Sequence, residues 1–325
     1  MARQRSAAQS VTAFADRFDA IVDNIERVIA GKQDVVRLAL VTLVAEGHLL
    51  IEDVPGVGKT SLAKALASSL DSAYHRIQFT PDLLPSDVTG VTVYNRTTGE
   101  FEFRPGPIFS NIVLADEINR ASPKTQSALL EAMEERQVTV DTTTYHLEPP
   151  FMVIATQNPI EHEGTYPLPE SQLDRFLMRI TMGYPDKRAE LEILDTHGDA
   201  QGDEIAPVAK ASDIRTMVRI AQAVHVAPAL KGYLVDLADA TRRHPRLTLG
   251  VSPRGTLALM RASRALAASV GREFVLPDDV KALAGPVLEH RLMLTPEAQM
   301  GGVRQGDVLG ELLAAVPVPT ARSER

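Results

Sequence analysis

Two short clusters of residues carry the chemistry this chain can do. The first is Asp53-Val54-Pro55-Gly56-Val57-Gly58-Lys59-Thr60-Ser61, which follows the apolar run Leu49-Leu50-Ile51 and leads into a helical pattern from Lys59 to Leu70. A strand, a glycine-bearing turn and a helix in that order make a phosphate-binding loop. Gly56 and Gly58 let main-chain N–H groups turn inward, and the positive end of the following helix adds to their field, so the backbone can hold a polyphosphate. Lys59 then reaches the β and γ phosphates, and Thr60 offers its hydroxyl to Mg²⁺. The pattern G-x-x-x-x-G-K-[ST] departs at its first position, where Asp53 stands in place of glycine, but the anion-facing residues are all present.

The second cluster closes the apolar run Ile112-Val113-Leu114-Ala115 with Asp116-Glu117, as a buried parallel strand delivering two carboxylates at its end would. Asp116 suits the hydration shell of Mg²⁺, and Glu117 suits orienting and polarising the attacking water, a division of labour that in-line phosphoryl transfer needs. Taken alone, the pair could equally cap a helix beginning near Ser122-Pro123. Beside Lys59-Thr60 the catalytic reading prevails, because both clusters end apolar strands that reach one edge of one sheet. Asn158 follows another apolar run, Phe151 to Ala155, so it emerges at that edge and could hydrogen-bond the γ-phosphate or the water. An Asn-Pro pair is also an ordinary turn.

The elements that must position these groups can be read from periodicity. Phe14, Phe18, Ile21, Val22, Ile25, Val28 and Ile29 recur at helical spacing and predict an amphipathic helix before Gly31. Between residues 34 and 185, strand-like runs at Leu49 to Ile51, Ile77 to Phe79, Ile112 to Leu114, Phe151 to Ala155 and Leu177 to Met182 alternate with helical stretches, which predicts an α/β core with a largely parallel sheet. From residue 186 the strand signal fades and helical patterns follow at Lys187 to Thr196, Asp213 to His225, Ala229 to Arg243 and Pro253 to Val270, a smaller helical domain with a polar tail. Val91 to Phe103 and Gln137 to Leu147 each read as a β-hairpin inserted into the core, as decoration or as a surface for a partner or pore.

Composition sets the outer bounds. The chain has 325 residues, enough for two domains, and no apolar run long enough to span a bilayer. Its N-terminus, MARQRSAAQSVTAF, lacks the apolar core of a secretory signal, so a cytoplasmic location is expected. With no cysteine, disulfides, thiolate metal sites and a cysteine nucleophile are excluded. The net charge of −8, from 34 basic and 42 acidic residues, argues mildly against nucleic acid as the main partner. Glu161-His162-Glu163 reads as a solvated loop, since three adjacent residues cannot all face one ion in regular structure; Mg²⁺ bound through ATP is the metal expected.

Taken together, Val54 to Thr60, Ala115-Asp116-Glu117-Ile118-Asn119-Arg120, Ala155-Thr156-Gln157-Asn158-Pro159, Leu173-Asp174-Arg175-Phe176 and Ser252-Pro253-Arg254 resemble the MoxR branch of the AAA+ ATPases. The resemblance runs in order from about Phe18 to Leu292. It implies an αβα P-loop ATPase core, a helical lid, assembly into a ring that is usually hexameric, and a chaperone-like role beside proteins with a von Willebrand factor A domain. By the same resemblance Asn158 is sensor 1, Arg175 is the arginine finger that reaches a neighbour's nucleotide, and Arg254 is sensor 2, contacting phosphate within its own chain. Val28-Ile29-Ala30-Gly31 resembles the segment that packs on adenine. Arg120 is either a second inter-subunit arginine or a carboxylate's partner, and the plain alternative for Arg175 is a salt bridge with Asp174 or Glu170. Three function classes stand: a ring ATPase acting on a protein client, an ATP-driven motor on nucleic acid, and a nucleotide-gated scaffold with slow hydrolysis. The acidic balance disfavours the second, and Glu117 disfavours the third.

Overall fold

Five short runs form one fully parallel sheet: β1 (Leu49–Glu52), β2 (Tyr74–Gln78), β5 (Ile112–Asp116), β8 (Met152–Gln157) and β9 (Met178–Ile180), in the spatial order β2-β5-β8-β1-β9. The computed structural model describes residues 2–159, 164–185 and 205–319, with 187, 188, 190 and 191. β5 is buried along its whole length and β8 along all but its last residue, as central strands covered on both faces require, whereas the edge strand β2 is mostly exposed. Alternate residues serve opposite faces. Leu49, Ile51, Ile112 and Leu114 pack on α1 (Ala2–Glu26), α2 (Gln33–Val44) and α3 (Lys59–Ser69), while Leu50, Val113 and Ala115 pack on α5 (Pro123–Glu135).

A short helix, α4 (Pro85–Thr89), precedes the first hairpin, β3 (Gly90–Asn95) with β4 (Glu100–Pro105); the second is β6 (Gln137–Val140) with β7 (Thr143–His146). Both stand where the sequence predicts hairpins. They lean on each other, with Phe103 stacked on Tyr145 at 4.1 Å and the Thr92 hydroxyl donating to Asp141 Oδ2 at 2.8 Å. The tip of the first keeps Tyr94 and Phe101 largely exposed.

After the single turn α6 (Glu170–Leu173) and β9 comes the helical domain: α7 (Ala211–Ala223), α8 (Pro228–Arg242), β10 (Leu247–Leu249), α9 (Pro253–Ser269), α10 (Pro277–Leu288), β11 (Met293–Leu294), α11 (Pro296–Met300) and α12 (Gln305–Ala315). β10 and β11 pair as a small antiparallel ribbon that periodicity does not announce. The helix expected over Lys187 to Thr196 lies largely outside the described residues. α9 starts sharply because Ser252 Oγ accepts the Gly255 N–H at 3.1 Å and Pro253 supplies a pre-set first turn. α1 carries the predicted apolar stripe and packs on α2 and α3 and, at the same time, on α7 and α9, so one apolar core runs from the sheet into the helical domain.

Candidate nucleotide site

The loop between β1 and α3 has the shape its sequence predicts. Gly56 (φ 83°) and Gly58 (φ 92°) are left-handed, and open space surrounds the outer face of Gly56, where a side chain would otherwise meet an arriving anion. Lys59 Nζ donates to the Asp53 carbonyl at 2.6 Å, across the mouth of the loop. Thr60 and Ser61 are exposed on the first turn of α3, the positive end of that helix.

Sheet order brings the acids to this loop. β8 lies between β1 and β5, so the ends of the three strands put the loop, Asn158 and Asp116-Glu117 side by side. Asn158 is buried just past β8, and the Asp53 N–H donates to the Gln157 carbonyl beside it at 3.2 Å. Thr156, a fully buried residue the sequence reading passed over, links the strand ends. Its Oγ1 donates to Asp116 Oδ1 at 2.6 Å and accepts the Glu117 N–H at 2.8 Å. The other Asp116 oxygen accepts from Arg76 Nε and Nη2 at 3.0 and 2.7 Å. With both oxygens engaged, Asp116 fits a role through the metal's water shell, and Thr60 offers the hydroxyl oxygen such a cation prefers. Glu117 itself is left-handed (φ 56°), and its Oε2 accepts from Gln78 Nε2 at 2.9 Å and Arg120 at 3.2 Å. Arg120 therefore partners a carboxylate here. The helix cap near Ser122 belongs to Ser122, whose Oγ accepts the Thr125 N–H at 3.4 Å.

Arg175 and Arg254 are not at this edge. α5 runs back across the sheet, so its last turn meets the start of β1, where His48 bonds the Met133 carbonyl at 3.1 Å and Leu177 N–H donates to the His48 carbonyl at 2.8 Å. There Glu134 uses both oxygens: Oε2 pairs with Arg175 Nε at 3.2 Å and Oε1 with Arg254 Nη1 at 3.1 Å. β1 has 4 residues, so about 13 Å of strand separates this edge from the loop. Arg254, expected to contact phosphate within its own chain, pairs with Glu134 at this far edge, where α9 begins and Ser252 Oγ donates to Asp174 Oδ2 at 3.0 Å. The salt bridge of Arg175 is made with Glu134 instead of Asp174 or Glu170. Asp174 is taken by Arg291 Nε at 2.7 Å, a buried guanidinium whose pKa is pulled down by desolvation against the raising effect of Asp174. Gly255 lets Arg291 pass, since a Cβ there would lie 2.8 Å from Arg291 Cδ.

His48 accepts the Val153 N–H on Nδ1 at 2.9 Å, which with the Met133 carbonyl on Nε2 defines a neutral ring. Burial lowers its pKa from 6.5 to about 4. In the segment expected to pack on adenine, Ile29 is buried, Val28 is packed against the core, and Gly31 turns with φ 71°. Glu161-His162-Glu163 lies outside the described residues.

This geometry defines a nucleotide-binding ATPase fold with a helical second domain. Residues 48–178 match the family described as "ATPase family associated with various cellular activities (AAA)", and residues 239–312 match the "AAA lid domain". A crystal structure of a candidate ATPase from Cytophaga hutchinsonii superposes with a TM-score of 0.92 at 38% identity, covering 98% of this chain and 100% of that one. The protein "Chaperone MoxR1" of Mycobacterium tuberculosis is 40% identical over 96% of this chain and 85% of its own length, and "Protein MoxR" of Paracoccus denitrificans is 33% identical over 90% and 94%. A Bacillus subtilis protein, YeaC, is 54% identical over 93% and 95%. The chain belongs to the MoxR family of AAA+ ATPases.

Proposed function

We propose that this chain hydrolyses ATP as a ring-forming, chaperone-like machine that matures or remodels a protein client in the cytoplasm, beside a partner carrying a von Willebrand factor A domain. The observation that carries hydrolysis is the position of β8 between β1 and β5, which aligns Lys59, Asn158 and Glu117 along one edge. In this reading the loop from Asp53 to Ser61 binds the phosphates, with Val28, Ile29 and Gly31 beside the adenine. Thr60 and Asp116 hold Mg²⁺, which when bound neutralises charge on the β and γ phosphates. Glu117 orients the water, and Asn158 fixes it against the γ-phosphate.

Arg175 and Arg254 stand at the opposite edge, joined through Glu134, so they serve a neighbouring chain's nucleotide rather than their own. Each complete site is then built from two chains, and a closed ring, a hexamer by resemblance, supplies every site. The chaperone role is supported by the name of the mycobacterial relative. Among the described residues no helix is long and apolar enough to cross a membrane.

Phosphate release and nucleotide titration test the reading. Lys59→Ala is expected to abolish ATP binding, while Glu117→Gln keeps binding and loses on the order of a hundredfold in turnover. Wild-type hydrolysis by Glu117→Gln would remove the catalytic assignment. For the partner, ATP-dependent retention of a von Willebrand A-domain protein by Glu117→Gln and not by Lys59→Ala is expected; equal retention by both would reject a nucleotide-driven role.

A further inference from the structure

Asp53, the residue that departs from the usual loop glycine, carries a bonding pattern that phosphate binding does not use. Its side chain is turned inward and only 9% exposed. Oδ1 accepts the Val54 N–H at 2.7 Å, and Oδ2 accepts the N–H groups of Met182 and Gly183 at 2.7 and 2.6 Å. Met182 and Gly183 lie just beyond β9, on the chain's way to the helical domain. Lys32 grips the same connector by its carbonyls, with Nζ donating to Met182 and Tyr184 oxygens, each at 2.7 Å. Lys32 directly follows Gly31, the end of the segment assigned to adenine. The far end of the loop touches the connector too, because a Cβ on Gly58 would sit 3.7 Å from Met182 Cε. Residues 182–184 thus meet the first residue of the loop, its last glycine and the adenine side at once.

We propose that Asp53 is a positioning residue that braces the phosphate loop against the 182–184 connector, holding the loop in its anion-accepting form and passing nucleotide occupancy to the entrance of the helical domain. The inference rests on the reading of Asp53 to Ser61 as the nucleotide loop. A carboxylate next to a polyphosphate would ordinarily repel it; here its two oxygens are turned to three main-chain N–H donors, which offset part of its charge. Glycine at this position would leave those donors without an acceptor. The relay runs through Lys59, which donates to the Asp53 carbonyl at 2.6 Å. A phosphate that draws Lys59 away changes the load on the residue that holds the connector.

The test uses the full chain with Asp53→Asn, Asp53→Ala and Lys59→Ala. Steady-state ATP hydrolysis separates KM from kcat, and hydrogen exchange over residues 182–185 is followed with and without ADP. In Asp53→Ala, KM is expected to rise about tenfold, with a smaller rise in Asp53→Asn, which keeps one acceptor oxygen. In both, any fall in kcat is smaller than the rise in KM, because Glu117, Asn158 and Arg175 are untouched. The ADP-dependent change in exchange over 182–185 disappears. If Asp53→Ala does not fold, the near-isosteric Asp53→Asn carries the test by the same readings. A merely structural role would lower thermal stability while leaving KM and the ADP response intact, and that result overturns the proposal. Wild-type nucleotide affinity in Lys59→Ala would overturn the loop reading, and the brace with it. Lost binding in Lys59→Ala with unchanged KM in both Asp53 variants would overturn the brace alone.

Discussion

Replacing Thr156 by valine keeps the branched shape of a fully buried side chain and removes its one oxygen. Two bonds go with it, the donation to Asp116 at 2.6 Å and the acceptance from the Glu117 N–H at 2.8 Å. A hydrogen bond to a carboxylate contributes about 1.5–3 kcal/mol, and leaving a buried N–H unsatisfied costs about 1–3 kcal/mol. Glu117 also sits at φ 56°, a conformation that costs an L-residue about 1–2 kcal/mol and relaxes once the N–H tether is cut. If about 2–3 kcal/mol of this appears as misplacement of the Glu117 carboxylate in the transition state, kcat falls roughly 30- to 150-fold. Nucleotide affinity, set by the loop, should change less than about threefold. The assay pairs phosphate release at saturating ATP with titration of a fluorescent ADP analogue. Thr156→Ser should recover most of the turnover, since it restores the hydroxyl and loses only a methyl. Wild-type kcat in folded Thr156→Val, or equal losses in the valine and serine variants, would refute the tether.

Arg175→Ala should bind nucleotide normally yet hydrolyse it on the order of 10³-fold more slowly, and mixing it with Lys59→Ala should restore part of the activity through interfaces that combine the two intact halves. No recovery in confirmed mixed assemblies would return Arg175 to a plain ion pair. Arg254→Ala should behave alike, slow in turnover and unchanged in nucleotide affinity at dilutions where the chain is monomeric; a large affinity loss there would contradict its place at the far edge. Acid should weaken the fold through His48. Its folded pKa, about 4, lies below the ordinary 6.5, so the unfolded chain binds the extra proton first. The stabilisation is whole above pH 6.5 and is lost as pH falls toward 4, reaching about 2 kcal/mol at pH 5. His290, buried and also depressed well below its ordinary value, adds in the same direction. Urea unfolding at pH 7.5 and 5 measures the loss, and an identical loss in His48→Gln would remove His48 as its source.

Features set by local order were legible in the sequence. The glycines of the loop, the carboxylates that end β5 and the turns of both hairpins depend on neighbours a few residues away. The core residues of β5 and β8 announced themselves as unbroken apolar runs because both faces of those strands are covered. Pairings set by topology were not legible. Nothing near Glu134 in the chain tells that α5 returns it to the start of β1, or that α9 begins there as well, so the partners of Arg175 and the edge occupied by Arg254 had to come from the fold. The same holds for Asp53, whose acceptors serve residues 182 and 183. Thr156 did leave a trace, as the one hydroxyl in the run that leads to Asn158, yet its two partners lie at the end of a strand that is its neighbour only in space.

The apolar stripe of α1 is shared. Phe14, Phe18, Ile21 and Ile25 belong to a continuous interior that takes in Leu62 and Ile154 on the sheet side and Leu237, Leu259 and Leu283 among the helices beyond it. A hinge between the two domains would have to tear this interior open, exposing side chains that each lose about 1.5–3 kcal/mol on meeting water. The two domains therefore share an interior that resists hinging between them. If the chain assembles as proposed, this shared interior favours motion of whole chains against one another over flexing within one chain.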